Sequence, residues 1–395
     1  MATRESLRHI EAGDWANATR TVGIMDRHQN GTRALLALGG IEINGGNPWD
    51  IAVHDERFYR RVLAHGSLGL GESYMEGWWD CERLDEFFFR VLRSDIQKQV
   101  RRYWHLLSTV LLARVLNMQS SKRAFQIGER HYDLGNRLFL AMLDSRMVYS
   151  CAYWREARTL DEAQENKLEL ICRKLDLKPG MKVLDIGCGW GSLAKYAALK
   201  YGADVVGITV SSEQVDMARG LCAGMPVEIR LQDYRDVNEK FDRIVSVGMI
   251  EHVGYKNYRT YMEVARRCLN DDGLFLLHTI GGNRSTTSVD PWIDKYIFPN
   301  GMLPSISQIG RAIEGLFVME DWHNLSADYD RTLMEWSKNF EGNWVSLKDA
   351  YDERFHRMWR YYLLSCAGAF RARGNQLWQI VLSPRGVIGG LKSVR

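Results

Sequence analysis

Two groups of residues in this 395-residue chain have the types and spacing of reactive machinery. The first is Val183-Leu-Asp-Ile-Gly-Cys-Gly-Trp-Gly191, where an apolar run delivers Asp185 and three glycines follow at alternate positions. Glycine lets a bulky ligand touch backbone, because any Cβ would stand in its way. The second is Ser246-Val-Gly-Met-Ile-Glu-His-Val-Gly254, followed by Leu276-Leu-His-Thr-Ile280 on the next apolar run. Glu251 and His278 brought to one crevice can hold and move a proton. Taken singly, either is explained as well by a structural hydrogen bond. Their convergence on neighbouring strand ends is what favours a reacting site.

The glycine pattern discriminates between ligands. G-x-G-x-G differs from the dinucleotide pattern G-x-G-x-x-G, and a carboxylate, Asp185, precedes Gly187 and Gly189. The next apolar run ends in Gly207-Ile-Thr-Val-Ser-Ser-Glu-Gln214, with no acid at its tip for the ribose hydroxyls of a nicotinamide cofactor. Thr209 and Gln214 offer hydroxyl and amide groups there instead. Ser211 and Gln214 also fit an S-x-x-Q capping box, which needs no ligand. The third run ends in Leu231-Gln-Asp-Tyr-Arg235, where Asp233 is placed to accept from an adenine amino group and Tyr234 to cover the ring. The alternative for these two is a solvated acid and a partly buried tyrosine. Together the turns describe an S-adenosylmethionine-dependent methyltransferase.

Such tips must be presented by a sheet. Runs at Lys182–Ile186, Asp204–Ile208, Val227–Leu231, Phe241–Val247 and Leu274–His278 read as strands. Leu193–Lys200, Ser212–Gly220 and Tyr258–Leu269 read as helices between them. Strands alternating with helices imply an α/β fold, a doubly wound and mostly parallel sheet of Rossmann-like type. The first segment, to about Asn117, reads as mainly helical. Asp55–His65 puts Phe58, Val62 and His65 on one face, Gly66–Gly71 reads as a turn, and Leu84–Leu92 as an aromatic-rich helix. Gln97–Phe125 reads as a basic amphipathic helix, either an ordinary connector or a surface for anionic headgroups. The expected division is a helical domain over 1–117 and a catalytic domain over 118–395.

Composition narrows the partners. With 46% hydrophobic and 26% charged residues the chain can bury a sizeable core, and a net charge of +3 gives no case for nucleic acid. Seven cysteines without paired spacing read as reduced thiols, with no metal site. No signal-peptide pattern is present at the N-terminus, and the apolar stretch at Leu106–Leu116 is too short to cross a bilayer.

The chain resembles the cyclopropane-fatty-acyl-phospholipid synthase family over nearly its whole length. The resemblance is carried by Gly66-Ser-Leu-Gly-Leu-Gly-Glu-Ser-Tyr-Met75, Tyr149-Ser-Cys-Ala-Tyr-Trp154, the glycine turn, Gly248-Met-Ile-Glu-His-Val-Gly254 and Leu276-Leu-His-Thr-Ile-Gly281. Tyr296-Ile-Phe-Pro-Asn-Gly301, Ala327-Asp-Tyr-Asp330 and Ala367-Gly-Ala-Phe-Arg-Ala-Arg373 continue it in order. One departure is Ile250, where the family often has an aromatic residue, a change expected to reshape the acyl tunnel.

The resemblance implies methyl transfer to a cis alkene, then loss of a proton from that methyl to a bound bicarbonate. By motif, the bicarbonate ligands are Cys151, Glu251, His278, Ile280 through its backbone, and Tyr329. Tyr149 and Ser150 are expected at the methionine or ribose end of the cofactor. Cys366 matches a cysteine once suspected of catalysis, although packing near the site is the simpler reading. Aromatic residues between Trp292 and Phe298 and between Phe355 and Phe370 are expected to form an acyl channel. Arg354, Arg357, Arg360, Arg371 and Arg373 are expected either at phosphates by its mouth or on a solvated face. The N-terminal domain implies unsaturated phospholipid in a bilayer as substrate. It also implies a homodimer and a cytoplasmic protein held peripherally on the inner face of the membrane. Two other readings remain: a relative that methylates without closing a ring, and a non-catalytic lipid-binding protein.

Overall fold

A computed structural model describes residues 28–94 and 135–395. The expected basic helix over 97–125 and the expected boundary at 117 lie outside them. At the centre is a seven-stranded sheet of β3 (Lys182–Ile186), β4 (Asp204–Thr209), β5 (Val227–Leu231), β6 (Phe241–Val247), β7 (Leu269–Gly282), β8 (Val318–Asn324) and β9 (Asn375–Ser383). Its order is β5-β4-β3-β6-β7-β9-β8. β5, β4, β3, β6 and β7 run parallel, whereas β9 is antiparallel to both β7 and β8. β3, β4, β5 and β6 coincide with the runs read from sequence to within a residue, and β7 extends the expected Leu274–His278 in both directions to Leu269–Gly282. The inner strands carry mostly buried apolar residues, whereas β5, at the edge, alternates as Val-Glu-Ile-Arg-Leu. The antiparallel pair β8 and β9 was not among those runs. β8, at the sheet's edge, reads Val-Met-Glu-Asp-Trp-His-Asn, with neither a continuous apolar run nor an alternating pattern.

The order reverses between β3 and β4 on one side and β6 on the other, which opens a crevice at the carboxyl ends of β3 and β6. Around the sheet lie α4 (Leu160–Lys174), α5 (Ser192–Tyr201), α6 (Ser212–Leu221) and α7 (Tyr258–Cys268). Over the crevice α3 (Asn136–Met142), α8 (Pro291–Tyr296), α10 (Ser326–Asn343) and α11 (Glu353–Arg371) form a cap, with α9 (Ile306–Ile313) beside α7.

The N-terminal piece contains a two-stranded ribbon, β1 (Ala52–Val53) with β2 (Trp79–Asp80), and the helices α1 (Arg57–Met75) and α2 (Leu84–Arg93). The glycine-rich stretch 66–71 is no turn. It continues α1, with only Gly66 leaving helical geometry at φ 56°. Its glycines serve close approach: a Cβ on Gly71 would lie 2.3 Å from the Trp292 ring of α8, and one on Gly69 2.3 Å from the Arg61 carbonyl. Of the face expected on α1, Phe58 is buried, Val62 half-buried and His65 exposed. α2 packs along α11, where a Cβ on Gly368 would stand 2.6 Å from the Asp85 carbonyl. One apolar cluster therefore runs unbroken from Phe58, Trp79 and Phe87 into the cap through Trp292, Tyr361 and Trp359.

Candidate active site

The crevice holds two spaces that share part of their lining. The smaller, about 100 Å³, is lined by the glycine turn with Asp185, Lys167, Gln214, Tyr149, Ser150 and Gly248. β3 ends in Gly187 at φ +83° and Gly189 at φ +55°, and the Gly187 and Cys188 amides donate to the Ile208 carbonyl of β4 at 2.9 and 3.0 Å. A Cβ on Gly187 would lie 2.9 Å from the Met249 side chain, and one on Gly191 3.1 Å from Cys222 Sγ. The turn therefore accepts only glycine, for its conformation and for room. Asp185 is buried, its Oδ2 has no hydrogen-bond partner, and burial pushes its carboxyl up to about 7. A buried unpaired carboxylate oxygen beside a glycine cradle fits a cationic nucleoside cofactor such as S-adenosylmethionine.

The other expected cofactor groups divide. Ser211 caps α6 by accepting from the Gln214 amide at 3.4 Å, but the box is not reciprocal. Gln214 Oε1 accepts instead from the Thr209 hydroxyl at 2.7 Å, which turns the Gln214 side chain toward the small cleft while Thr209 stays behind it. Asp233 and Tyr234 are not brought to the cleft lining. The Asp233 carboxylate is bound by Arg235 at 2.6 Å and caps the short turn over Tyr234–Asp236, and the Tyr234 ring packs edge-on against Tyr261 at 5.0 Å. An acid with an arginine two residues on forms this closed local pair, a contact that strand-tip position alone does not reveal.

The larger space, about 660 Å³, shares Tyr149, Ser150 and Gly248 with the first as lining. Its inner end carries Cys151, Glu251, His278, Ile280, Tyr329 and Cys366. These come from separate elements that the sheet brings together: the loop before α4, the turn after β6, β7, α10 and α11. Glu251 is buried, and its Oε1 accepts from the Ile280 amide at 2.7 Å while Oε2 has no partner. Burial pushes its carboxyl up to about 7, against the pull of the Ile280 N–H. The Ile280 amide, expected to hold an anion, is thus engaged in positioning Glu251.

His278 Nδ1 lies 3.3 Å from the Gln379 side-chain nitrogen of β9, and its Nε2 is buried without a partner. With the Gln379 amide donating, the ring proton sits on Nε2. Burial, with the fields of Lys167 and Lys174, holds this imidazole well below its usual pKa and hence neutral. Burial also raises Tyr329, whose ring packs on Phe370 at 4.6 Å and edge-on to Trp336 at 5.9 Å.

The Cys151 thiol donates to the Ala152 carbonyl at 3.2 Å and is held protonated by burial. The Cys366 thiol, half-buried at the cavity wall, is pushed up to about 12 by burial. Neither is a nucleophile at neutral pH. All seven cysteines are free.

The wall beyond is apolar and aromatic: Ile293, Phe298, Leu333, Tyr362, Phe370 and Leu377. Trp292 and Trp359 lie outside the lining and pack as core. Ile250 is likewise fully buried in the sheet's own core, so it does not shape this cavity. The arginines expected at a mouth are largely spent inside the protein: Arg357 on Asp80, Arg360 on Glu341, Arg371 on Asp85 and Asp330, and Arg373 on Gln376. Arg354 reaches only the Tyr296 hydroxyl, at 3.5 Å. The arginines lining the cavity are Arg93 and Arg284, neither singled out by the sequence because each stands outside the motifs.

A protein family described as mycolic acid cyclopropane synthetase matches residues 119–380. The cyclopropane-fatty-acyl-phospholipid synthase of Escherichia coli K12 is 58% identical over 361 residues, 91% of this chain and 94% of that protein. The chain belongs to the cyclopropane synthase family. It is an S-adenosylmethionine-dependent methyltransferase, as the glycine turn and the sheet order require.

Tuberculostearic acid methyltransferase of Mycobacterium tuberculosis is 35% identical over 349 residues, covering 83% of this chain and 81% of that one. Among solved structures, mycolic acid cyclopropane synthase CmaA1 complexed with SAH and CTAB superposes with TM-score 0.61 at 34% identity. It covers 65% of this chain and 97% of its own. Coclaurine N-methyltransferase, at 23% identity and TM-score 0.66 over 80% of this chain and 98% of its own, shares the fold.

Proposed function

We propose that this enzyme builds cyclopropane rings on cis-unsaturated acyl chains of membrane phospholipids, with bicarbonate as the base. The observation that carries the reading is the wall of Tyr149, Ser150 and Gly248 that the larger cavity shares with the cofactor cleft, together with two unpartnered buried atoms of residues lining that cavity, Glu251 Oε2 and His278 Nε2. The identity to a phospholipid synthase over nine-tenths of the chain supports it. S-adenosylmethionine supplies an electrophilic methyl, and bicarbonate a small base that fits between charged and neutral groups.

The chain's residues do the rest. Tyr149, Ser150 and Gly248 wall the junction, so an alkene in the cavity faces the cleft across them. Methyl transfer takes both π electrons of the alkene and leaves its second carbon cationic. Tyr329, Phe370, Tyr362 and Phe298 present ring faces or edges to that cavity and exclude water. A proton then leaves the added methyl, and the released C–H pair closes the third side of the ring. His278 Nε2–H and the Tyr329 hydroxyl are the donors that orient a bicarbonate, and ionised Glu251 accepts its O–H. Ile280 acts on the same step by fixing Glu251.

Cys151 and Cys366 then serve as wall, not as nucleophiles. The same proposal makes residues 1–117 a docking and dimer-bridging domain and 118–395 the catalytic unit of a cytoplasmic homodimer on the inner face of the membrane. No helix among the described residues is long and apolar enough to cross one.

The test is expression in cells that make unsaturated phospholipids, with mass spectrometry of their fatty acids and an assay for alkenes. A gain of CH2 with the alkene gone is expected. A gain of CH2 with the alkene retained would point to methylation without ring closure, and no change would point to a non-catalytic protein.

A further inference from the structure

Lys167, on α4, is a lysine with almost no exposure, 2%, inside the cofactor cleft. Its Nζ makes one hydrogen bond, to Ser150 Oγ at 3.0 Å, and no ion pair with any carboxylate among the described residues. Two buried acids lie within its field. Asp144 spends its oxygens on the Val148 and Arg146 amides at 2.9 and 3.1 Å. Asp185 lines the same cleft and keeps Oδ2 unpartnered. Burying a cation and an anion side by side, neither neutralised by direct contact, is costly unless something bridges them.

The bridge is defined by these charges. It must present a carboxylate to an ammonium and an ammonium to a carboxylate, within about 100 Å³ at the end of a glycine turn. That is an α-amino-acid zwitterion. We propose that Lys167, with Ser150 beside it, receives the carboxylate of the cofactor's amino-acid end, while Asp185 receives its ammonium. This rests on the reading of the cleft as an S-adenosylmethionine site. Lys167 and Asp185 are the charged side chains of the cleft lining, one of each sign, which matches the two opposite charges of an amino-acid end. The ordinary alternative is that Lys167 merely holds Ser150 and the loop over 148–150 in place. Gln164 already does so, donating to the Ser150 and Val148 carbonyls at 2.9 and 3.3 Å.

Calorimetric binding to the full chain separates the two. Three probes are used: S-adenosylhomocysteine, its decarboxylated analogue, and 5′-methylthioadenosine, which lacks the whole amino-acid end. In Lys167→Met the affinity for S-adenosylhomocysteine is expected to fall about ten- to a hundredfold, the strength of a charge-assisted contact. Affinity for 5′-methylthioadenosine should stay within about twofold, and removal of the carboxylate should weaken wild type but not the variant further. Equal losses for all three probes would mean a structural role and overturn the assignment, as would an unchanged affinity for S-adenosylhomocysteine. If Lys167→Met does not fold, wild type alone decides: a decarboxylated analogue that binds within about twofold of S-adenosylhomocysteine refutes the contact. Failure of wild type to bind either S-adenosylhomocysteine or 5′-methylthioadenosine would overturn the cofactor assignment itself, and this inference with it.

Discussion

At the scale of single residues the proposed reaction depends on one carboxylate. Glu251 is fixed by the Ile280 amide through Oε1, and its buried Oε2 has no partner. Glu251→Gln preserves the shape and the contact to Ile280 but removes the charge. Turnover is expected to fall about a hundred- to ten-thousandfold, the worth of a positioned acid–base group. S-adenosylhomocysteine affinity should stay within about twofold, since Glu251 does not line the small cleft. Unchanged turnover at saturating cofactor would refute the role.

The pH dependence has a definite sign. Burial raises this carboxyl to about 7, so the ionised form that accepts the base's O–H disappears as pH falls through that value. Turnover at fixed total bicarbonate should therefore decline at least tenfold for each pH unit well below about 7, and in the Gln variant the decline should be shallower and begin at lower pH, where only the bicarbonate takes up a proton. A flat wild-type profile from pH 8 down to pH 6 would exclude Glu251 as the titrating group.

At the scale of elements, what matters is how closely strands and helices approach. The turn from β3 into α5 holds Gly187 at φ +83° with Met249 against the space a Cβ would fill. Gly187→Ala is expected to cost about 1–3 kcal/mol of stability through backbone strain. It should also abolish the rise in melting temperature that S-adenosylhomocysteine gives wild type, because the shifted backbone closes the cleft. A Gly187→Ala protein still stabilised by the ligand to the wild-type extent would show that the turn tolerates a side chain. The loop over 148–150 is the complementary element. It is pinned by Gln164 and Lys167 of α4, and the next residues by Thr332 of α10, whose hydroxyl oxygen accepts from the Ala152 amide at 3.1 Å and from the Trp154 indole at 3.0 Å. Cleft and cavity thus share one rigid wall.

At the scale of the molecule, the N-terminal piece is part of the cap's foundation. Arg371 at the end of α11 reaches Asp85 of α2 at 2.6 Å and Asp330, next to Tyr329, at 3.0 Å. Burial opposes ionisation of Asp85, but hydrogen bonds from Arg83 and Arg371 prevail and hold it at about 2. Its folded pKa is lowered, so its stabilisation is complete above the ordinary carboxylate range and is lost as pH falls through about 2. Arg371→Ala should remove part of it. A loss of about 2–4 kcal/mol is expected at neutral pH by urea denaturation, with Arg83 left as the remaining partner. The variant's stability should also fall off less steeply with acid than wild type's between pH 4 and pH 2. A loss below about 0.5 kcal/mol would mean that the Arg371–Asp85 pair does not help to hold the two parts together.

The sequence by itself determined the parallel half of the sheet and the glycine turn, and it singled out Glu251 and His278 as candidates for the reacting groups. Strands buried on both faces must be apolar, and a backbone that meets a ligand must lack Cβ atoms, so both facts are written locally. Only the tertiary structure decided what depends on partners distant in the chain. It packed Gly71 of α1 against Trp292, left the departure from helix to Gly66 alone, and paired Arg357, Arg360 and Arg371 with the protein's own carboxylates. It closed Asp233 onto Arg235 and tied the Ile280 amide to Glu251. It also brought Lys167 and Asp185 into the lining of one cleft without an ion pair between them. Which polar atoms are left unsatisfied is a property of the packed whole, because a buried group is free only when every neighbour has found another partner.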